Sequence, residues 1–306
     1  MNDKITVSTF QLFKMFPDAE AGRKYLEARL WPYGVKCSAC AGMDRITTRK
    51  GGYYRCNSCK LDFTVRTGTI FERSHVPLHK WIYAIYLLVT SRMGISSLQL
   101  SKEIGITQKS AWFALQKLHE ACRSDMTMRQ CIVEIDETFV GGKERNKHSA
   151  KKLRAGRGNA GNAAVMGMRE RGACTIAKSV ANTDVQTRHR AIHENIETGL
   201  PLHTDEHAGY KEPGGNFFNP QAINHGAGEY IKDSVTTNGI ESVWAVLKRD
   251  LPSAYHHASD KHRAPYVDES AFHLNDGNVK CHALDRLDSF VDATVGRGIA
   301  YKELIT

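Results

Sequence analysis

The sequence predicts a mixed α/β domain preceded by a small cysteine module and a helical region. Two Cys-x-x-Cys pairs stand near the N-terminus, and two stretches of helical periodicity follow them. Beyond these, short apolar, β-branched runs give way to helical patterns in the order strand, strand, strand, helix, strand, helix.

The cysteine module comes first. Cys37-Ser-Ala-Cys40 and Cys56-Asn-Ser-Cys59 are separated by residues 41–55, the spacing of a four-thiolate structural site for one zinc ion. Aromatic and β-branched residues in Gly51-Gly-Tyr-Tyr-Arg55 and Leu61-Asp-Phe-Thr-Val65 fit the short hairpins of a zinc ribbon. So small a module buries little core, and the metal must supply roughly 10–16 kcal/mol of folding energy. The competing reading is a redox or disulfide pair. Met1-Asn-Asp-Lys-Ile5 has no apolar signal core and no stretch reaches membrane-spanning length, which favours a cytoplasmic zinc protein. Cys122, Cys131, Cys174 and Cys281 lack ligand spacing and read as buried small hydrophobes, Cys131 and Cys174 within strands.

The helical region follows. Pro77 to Val89 opens on proline and is apolar on more than one face, as a core helix is. Residues 94–118 read as helix, turn, helix: Ser97 to Ile104, a turn at Gly105-Ile106, then Thr107 as N-cap of a helix ending near Cys122. Gln108, Lys109 and Trp112 then fall at the start of the second helix, where such a motif meets base edges. The alternative is two packing helices joined by a tight turn.

Strands are expected at Ile132 to Val140, at 163–169 and at 173–180, the last two joined by a hairpin at Glu170-Arg-Gly172. A helix from about Asp184 to Glu197, the strand ending near Asp205, a loop over 213–225 and a helix from Thr237 complete the domain. That order is RNase H-like, a mixed sheet with helices on its faces. Asp136 and Asp205 stand near strand ends. Glu241 lies in the first turns of its helix, and Lys248, seven positions on, shares its face. Three carboxylates suit two Mg²⁺ or Mn²⁺ ions, hard cations that activate a water or a 3′-hydroxyl for in-line phosphoryl transfer, with Lys248 as a DNA phosphate contact. Glu137 and Glu206 would face away from their neighbouring aspartates.

Composition agrees with a polyanionic partner: 42 Lys plus Arg against 33 Asp plus Glu, a net +9. Lys143, Arg145, Lys147, Lys151, Lys152, Arg154 and Arg157 form a basic loop just after Asp136 and read as phosphate contacts, against the alternative of a solvated charge run. His207, His225, His256, His257 and His262 cluster near the acids in sequence, and His257 and His262 are the candidate DNA contacts among them.

Three segments carry a specific resemblance: Asp136-Glu-Thr-Phe-Val-Gly-Gly-Lys-Glu-Arg-Asn-Lys-His148, Thr204-Asp-Glu-His-Ala-Gly-Tyr210, and Asn238-Gly-Ile-Glu-Ser-Val-Trp-Ala-Val-Leu-Lys-Arg249. Ala254-Tyr-His-His-Ala-Ser-Asp-Lys-His262 extends it. The sequence resembles the DDE transposases of bacterial insertion sequences that carry a zinc ribbon ahead of an RNase H-like catalytic domain. The resemblance implies that Asp136, Asp205 and Glu241 are the metal-binding triad, that Lys248 is its basic companion, and that the N-terminal modules bind terminal inverted repeats. The expected organisation is a ribbon segment over 1–72, helix-turn-helix over 73–128, a catalytic domain over 129–277 and a tail over 278–306. The expected activity is Mg²⁺-dependent cleavage and strand transfer on double-stranded DNA, both element ends and target, by a homodimer or higher oligomer. A structure-specific nuclease and a non-catalytic DNA-binding regulator are the alternatives. Pro265 departs from the family pattern, and 277–306 carry no family motif.

Overall fold

The computed structural model describes residues 6–141, 162–205, 219–223, 236–255, 262–276 and 281–305; for 205, 219–223, 252–255 and 305 it describes the backbone alone. Two compact units result, one of residues 1–123 with 276–306, the other of residues 124–275. Among the described residues, no helix is long and apolar enough to cross a membrane.

The first unit opens with α1 (Thr9–Met15) and α2 (Ala19–Leu30). Ser8 caps α1 through a reciprocal pair with Gln11, and Asp18 accepts from the Ala21 N–H to cap α2, each satisfying donors that a helix start leaves open. A three-stranded antiparallel sheet follows, in the order β1 (Ile46–Thr48), β2 (Tyr54–Cys56) and β3 (Asp62–Phe63). Its apolar centre is small. Trp31, from the end of α2, meets Tyr54 and Phe63 edge-on at centroid distances of 5.3 and 6.0 Å.

α3 (Leu78–Thr90) is buried along most of its length, with Trp81, Ile82, Ile85 and Leu88 inaccessible to solvent or nearly so. α4 (Ser97–Ile104) ends at Gly105, whose φ of +62° is a left-handed turn that a β-carbon would strain. Thr107 then caps α5 (Gln108–Cys122) by accepting from the Ser110 N–H. These are the helix bounds and the cap that periodicity predicts.

The second unit is a five-stranded mixed sheet between helices. β4 (Val133–Val140), β5 (Ala163–Glu170) and β6 (Thr175–Val180) are successive antiparallel strands, and α6 (Val185–Asn195) leads to β7 (Pro201–Asp205), which runs parallel to β4. β8 (Asn219–Ile223) adds a parallel edge, giving the order β6-β5-β4-β7-β8. This corrects the loop expected across 213–225. Pro220 donates no N–H, and an edge strand is where that is tolerated.

Strand alternation sorts the two faces. Val133, Ile135, Met166, Met168 and Leu202 pack against Ala191 and Ile192 of α6. Val165 and Ala177 on the opposite face pack under α7 (Asn238–Tyr255) and α8 (Arg263–Asp276), through Ile240, Val243, Trp244, Leu247 and Val267. Pro265 sits in the first turn of α8, where its missing N–H costs nothing, so it starts the helix.

Residues 281–305 return to the first unit as α9 (Ala283–Asp292) and α10 (Tyr301–Ile305). Asp288 and Asp292 pair with Tyr25 and Arg29 of α2. Arg297 donates to the carbonyls of Glu120 and Arg123, closing the end of α5. Of the unassigned cysteines, Cys122 and Cys174 are buried as expected, whereas Cys131 and Cys281 are exposed, and Cys131 and Cys174 precede their strands instead of lying within them.

Candidate functional site

The four spaced cysteines converge: Cys37, Cys40, Cys56 and Cys59 bring their sulfurs within 4.8 Å of one another. The backbone repeats itself at the two knuckles. Cys37 N–H donates to the Gly42 carbonyl at 3.0 Å and Cys56 N–H to the Leu61 carbonyl at 2.9 Å. The residue after each second cysteine, Ala41 or Lys60, is left-handed at φ +57° or +63°. The Cys37–Cys59 and Cys40–Cys56 sulfurs stand 3.5 and 3.6 Å apart. That is far longer than the disulfide bond of about 2.05 Å, and near the edge, about 3.8 Å, of a tetrahedron with 2.3 Å zinc–sulfur bonds.

Charge is shared unequally in the thiol set. The Cys59 N–H holds Cys56 down at about 6. Cys59, although it accepts the Leu61 N–H, is pushed up to about 12 by burial and by its neighbouring sulfurs. Four close thiols that cannot all ionise alone are a donor set for a cation.

The acids are set by the sheet. Parallel pairing of β4 with β7 aligns Val133 with Leu202 and Glu134 with His203. Asp136 and Asp205 each lie two residues beyond the last aligned pair, Glu134 and His203, on their strands. Asp136 is half-buried and pairs across to Gly167 of β5. A β-carbon at Gly167 would collide with the Trp244 ring, which lies across the strand at that point. From there Trp244 Nε1 donates to Asp136 Oδ2 at 2.8 Å. Glu241 precedes Trp244 by three residues, close to one turn of α7, and is exposed, as is Lys248 two turns on. Glu137 lies on the opposite face, paired with the buried Arg188 of α6. The half-buried His262 stands just before α8. The basic residues 143–157, Glu206, His207, His225, His256 and His257 lie outside the described residues.

Gly167→Ala is therefore expected to overpack the α7 contact, lower stability by about 1–3 kcal/mol and displace the Trp244 indole from Asp136. Thermal unfolding and indole fluorescence of the variant measure both.

Two family profiles match the chain. The transposase zinc-ribbon domain matches residues 17–62, and the ISXO2-like transposase domain matches residues 130–275. The chain thus carries a transposase zinc-ribbon domain ahead of an ISXO2-like transposase domain. A protein from Halobacterium salinarum, described as an uncharacterized protein in transposable element ISH50, is 28% identical over 270 residues, 83% of this chain and 90% of its own.

Within this transposase, the residues expected to read DNA stand at the start of α5. Gln108 and Lys109 are exposed and Trp112 is half-buried. Gln108 Nε2 donates to Ser97 Oγ at 2.8 Å, bracing α5 against α4. Lys109 Nζ stands 5.1 Å from the ring centroid of Tyr301, and Phe113 meets the same ring edge-on at 5.3 Å. Nothing in the sequence pattern marks Tyr301 as a neighbour of α5, because the two are far apart in the chain and α10 is short. Sequence reasoning also passed over the buried Glu134 and His203 and the half-buried Arg171 that joins them. Burial pushes His203 below the usual histidine range, and the Arg171 guanidinium adds to that.

Proposed function

We propose that this transposase binds the terminal inverted repeats of its element, cuts DNA there by water attack, and joins the freed 3′-hydroxyl to target DNA. What supports this reading above all is that Asp136 and Asp205 each follow by two residues the aligned pair Glu134 and His203, together with the Trp244 bond that ties the helix of Glu241 to Asp136. The second unit is an RNase H-like domain in this reading, since its strand order and its helices on both faces agree with that fold. The proposed limits are a ribbon segment over 1–72, a helix-turn-helix over 73–128 and a catalytic domain over 129–277, with the last residues joining the first unit as α9 and α10.

Asp136, Asp205 and Glu241 would hold two Mg²⁺ or Mn²⁺ ions; an all-carboxylate donor set, with Glu241 open to solvent, fits hard cations that keep several waters. Bound there, the ions supply activation of the nucleophile and charge neutralisation at the leaving oxygen. The chain's own residues do the rest. Trp244 orients the Asp136 carboxylate through Oδ2. Lys248, on the same face of α7 as Glu241, takes a DNA phosphate. The loop residues Lys143, Arg145, Lys147, Lys151, Lys152, Arg154 and Arg157, with His257 and His262, add backbone contacts. The ribbon and the helix-turn-helix formed by α4 and α5 recognise the element end, Gln108, Lys109 and Trp112 facing bases. Zinc on the four cysteines holds the ribbon, and pairing of two ends requires at least a dimer on DNA. The expected compartment is the cytoplasm.

Incubation of the protein and MgCl₂ with pre-cleaved element ends and a circular target tests the reading. Joined products are expected. Nicking without joining would make the protein a nuclease instead.

A further inference from the structure

Glu134 has no part in the reaction just described, yet it lies two residues before Asp136 on the same face of β4. It is 3% exposed. A carboxylate so buried persists only where partners replace its water. Arg171 Nε donates to Glu134 Oε1 at 2.9 Å, and the backbone N–H of Ile240 donates to Oε2 at 2.9 Å. The Ile240 N–H belongs to the first turn of α7, where amides lack partners within the helix and an anion is favoured. Gly239 makes the approach feasible: a β-carbon there would collide with the Glu134 carboxylate.

Arg171 extends the set. It donates to His203 Nδ1 at 3.0 Å and to the Thr236 carbonyl at 3.1 Å, while the Thr236 N–H donates to the same His203 nitrogen at 3.2 Å. His203 stands two residues before Asp205 on β7. Arg169 donates to the Gly239 carbonyl at 2.7 Å and to Ser242 Oγ at 2.9 Å. The segments that carry Asp136, Asp205 and Glu241 thus meet on one polar set around the buried Glu134 and His203.

We propose that Glu134 is a positioning residue, whose carboxylate, seated between Arg171 and the Gly239-Ile240 backbone, holds the start of α7 against β4 and so sets the spacing of Glu241 from Asp136. This rests on the reading of Asp136 and Glu241 as metal ligands. Trp244 anchors the same helix one turn further along, so loss of Glu134 leaves α7 docked and loosens only its first turn. The consequence falls on metal affinity more than on the rate once metal is bound.

The test measures cleavage of element-end DNA by full-length, zinc-loaded protein across a MgCl₂ series, with hydrogen exchange at the Ile240 amide measured alongside. Glu134→Ala is expected to raise the half-saturating Mg²⁺ at least tenfold, to leave the rate at saturating Mg²⁺ within a few-fold, and to speed Ile240 exchange. Glu134→Gln keeps an acceptor for the Ile240 N–H and is expected to fall between. Gly239→Ala, which displaces the carboxylate while keeping its charge, should reproduce Glu134→Ala. Unchanged half-saturation in folded Glu134→Ala and Gly239→Ala overturns the proposal, and so does loss of the folded state in all three variants, since Glu134 would then be a general core residue. Asp136→Asn and Glu241→Gln run in parallel: if they cut normally, the catalytic reading fails, whereas inactive controls beside a Glu134→Ala protein that behaves as wild type sink the positioning role alone.

Discussion

Asp136→Asn is expected to lower DNA cleavage by at least about three orders of magnitude, roughly 4 kcal/mol of barrier, while leaving the fold and binding to element ends intact. The substitution removes charge and little else. An asparagine side chain has the shape of aspartate, and its amide oxygen can accept the Trp244 Nε1–H that Asp136 Oδ2 accepts at 2.8 Å. α7 therefore stays docked across β5, with Ile240, Val243 and Leu247 still buried. What changes is the anion shared between two cations, which a neutral amide cannot replace. Binding to DNA should hold or tighten, because one negative charge leaves a surface that meets phosphates. The measurements are cleavage of a labelled element end and a mobility-shift titration at one stated salt concentration. Cleavage within tenfold of wild type would remove Asp136 from the chemistry, and a parallel loss of binding and thermal stability would make it a structural residue.

The parts of this site that were legible in the sequence are those whose signal is local. The Cys-x-x-Cys spacing, the Thr107 cap with the left-handed Gly105 before it, and the apolar runs of β4 to β6 each declare themselves within a few residues. β8 did not, because its Asn-Pro-Gln-Ala-Ile reads as loop and becomes a strand only through the parallel edge that β7 offers. The C-terminal helices were equally silent: α9 is amphipathic, but only Tyr25 and Arg29 of α2 explain where its Asp288 and Asp292 point. Glu134 is the instructive case. Alternation alone assigns it to the face of Asp136, and a charge inside an apolar strand demands a partner. That partner lies 37 residues away in Arg171 and 106 away in the Ile240 amide, separations no local pattern spans.

Cys56→Ser should abolish zinc retention and, with it, recognition of the element end. One metal per chain is expected in the wild-type protein by atomic absorption, and none in the variant after dialysis against a chelator. The size of the effect follows from how little else holds the ribbon together. Its strands run only two or three residues, and apart from its cysteines its apolar centre is Tyr54 and Phe63, with Trp31 and the partly buried Val35 and Ile46 against them. A metal contribution of roughly 10–16 kcal/mol exceeds what so few buried side chains can replace. Serine keeps the shape but not the thiolate, and Cys56, the thiol already held down at about 6 by the Cys59 N–H, carries the charge most readily. The Trp31 indole, edge-on to Tyr54 and Phe63, reports the collapse as a fluorescence change. α3, with its own buried face, should keep its helical signal in circular dichroism. End binding then ranks the two recognition modules. If it disappears with the zinc while helicity persists, the ribbon contributes directly to recognition of the element end. If it survives intact, α4 and α5 suffice, and Gln108, Lys109 and Trp112 carry the sequence readout alone.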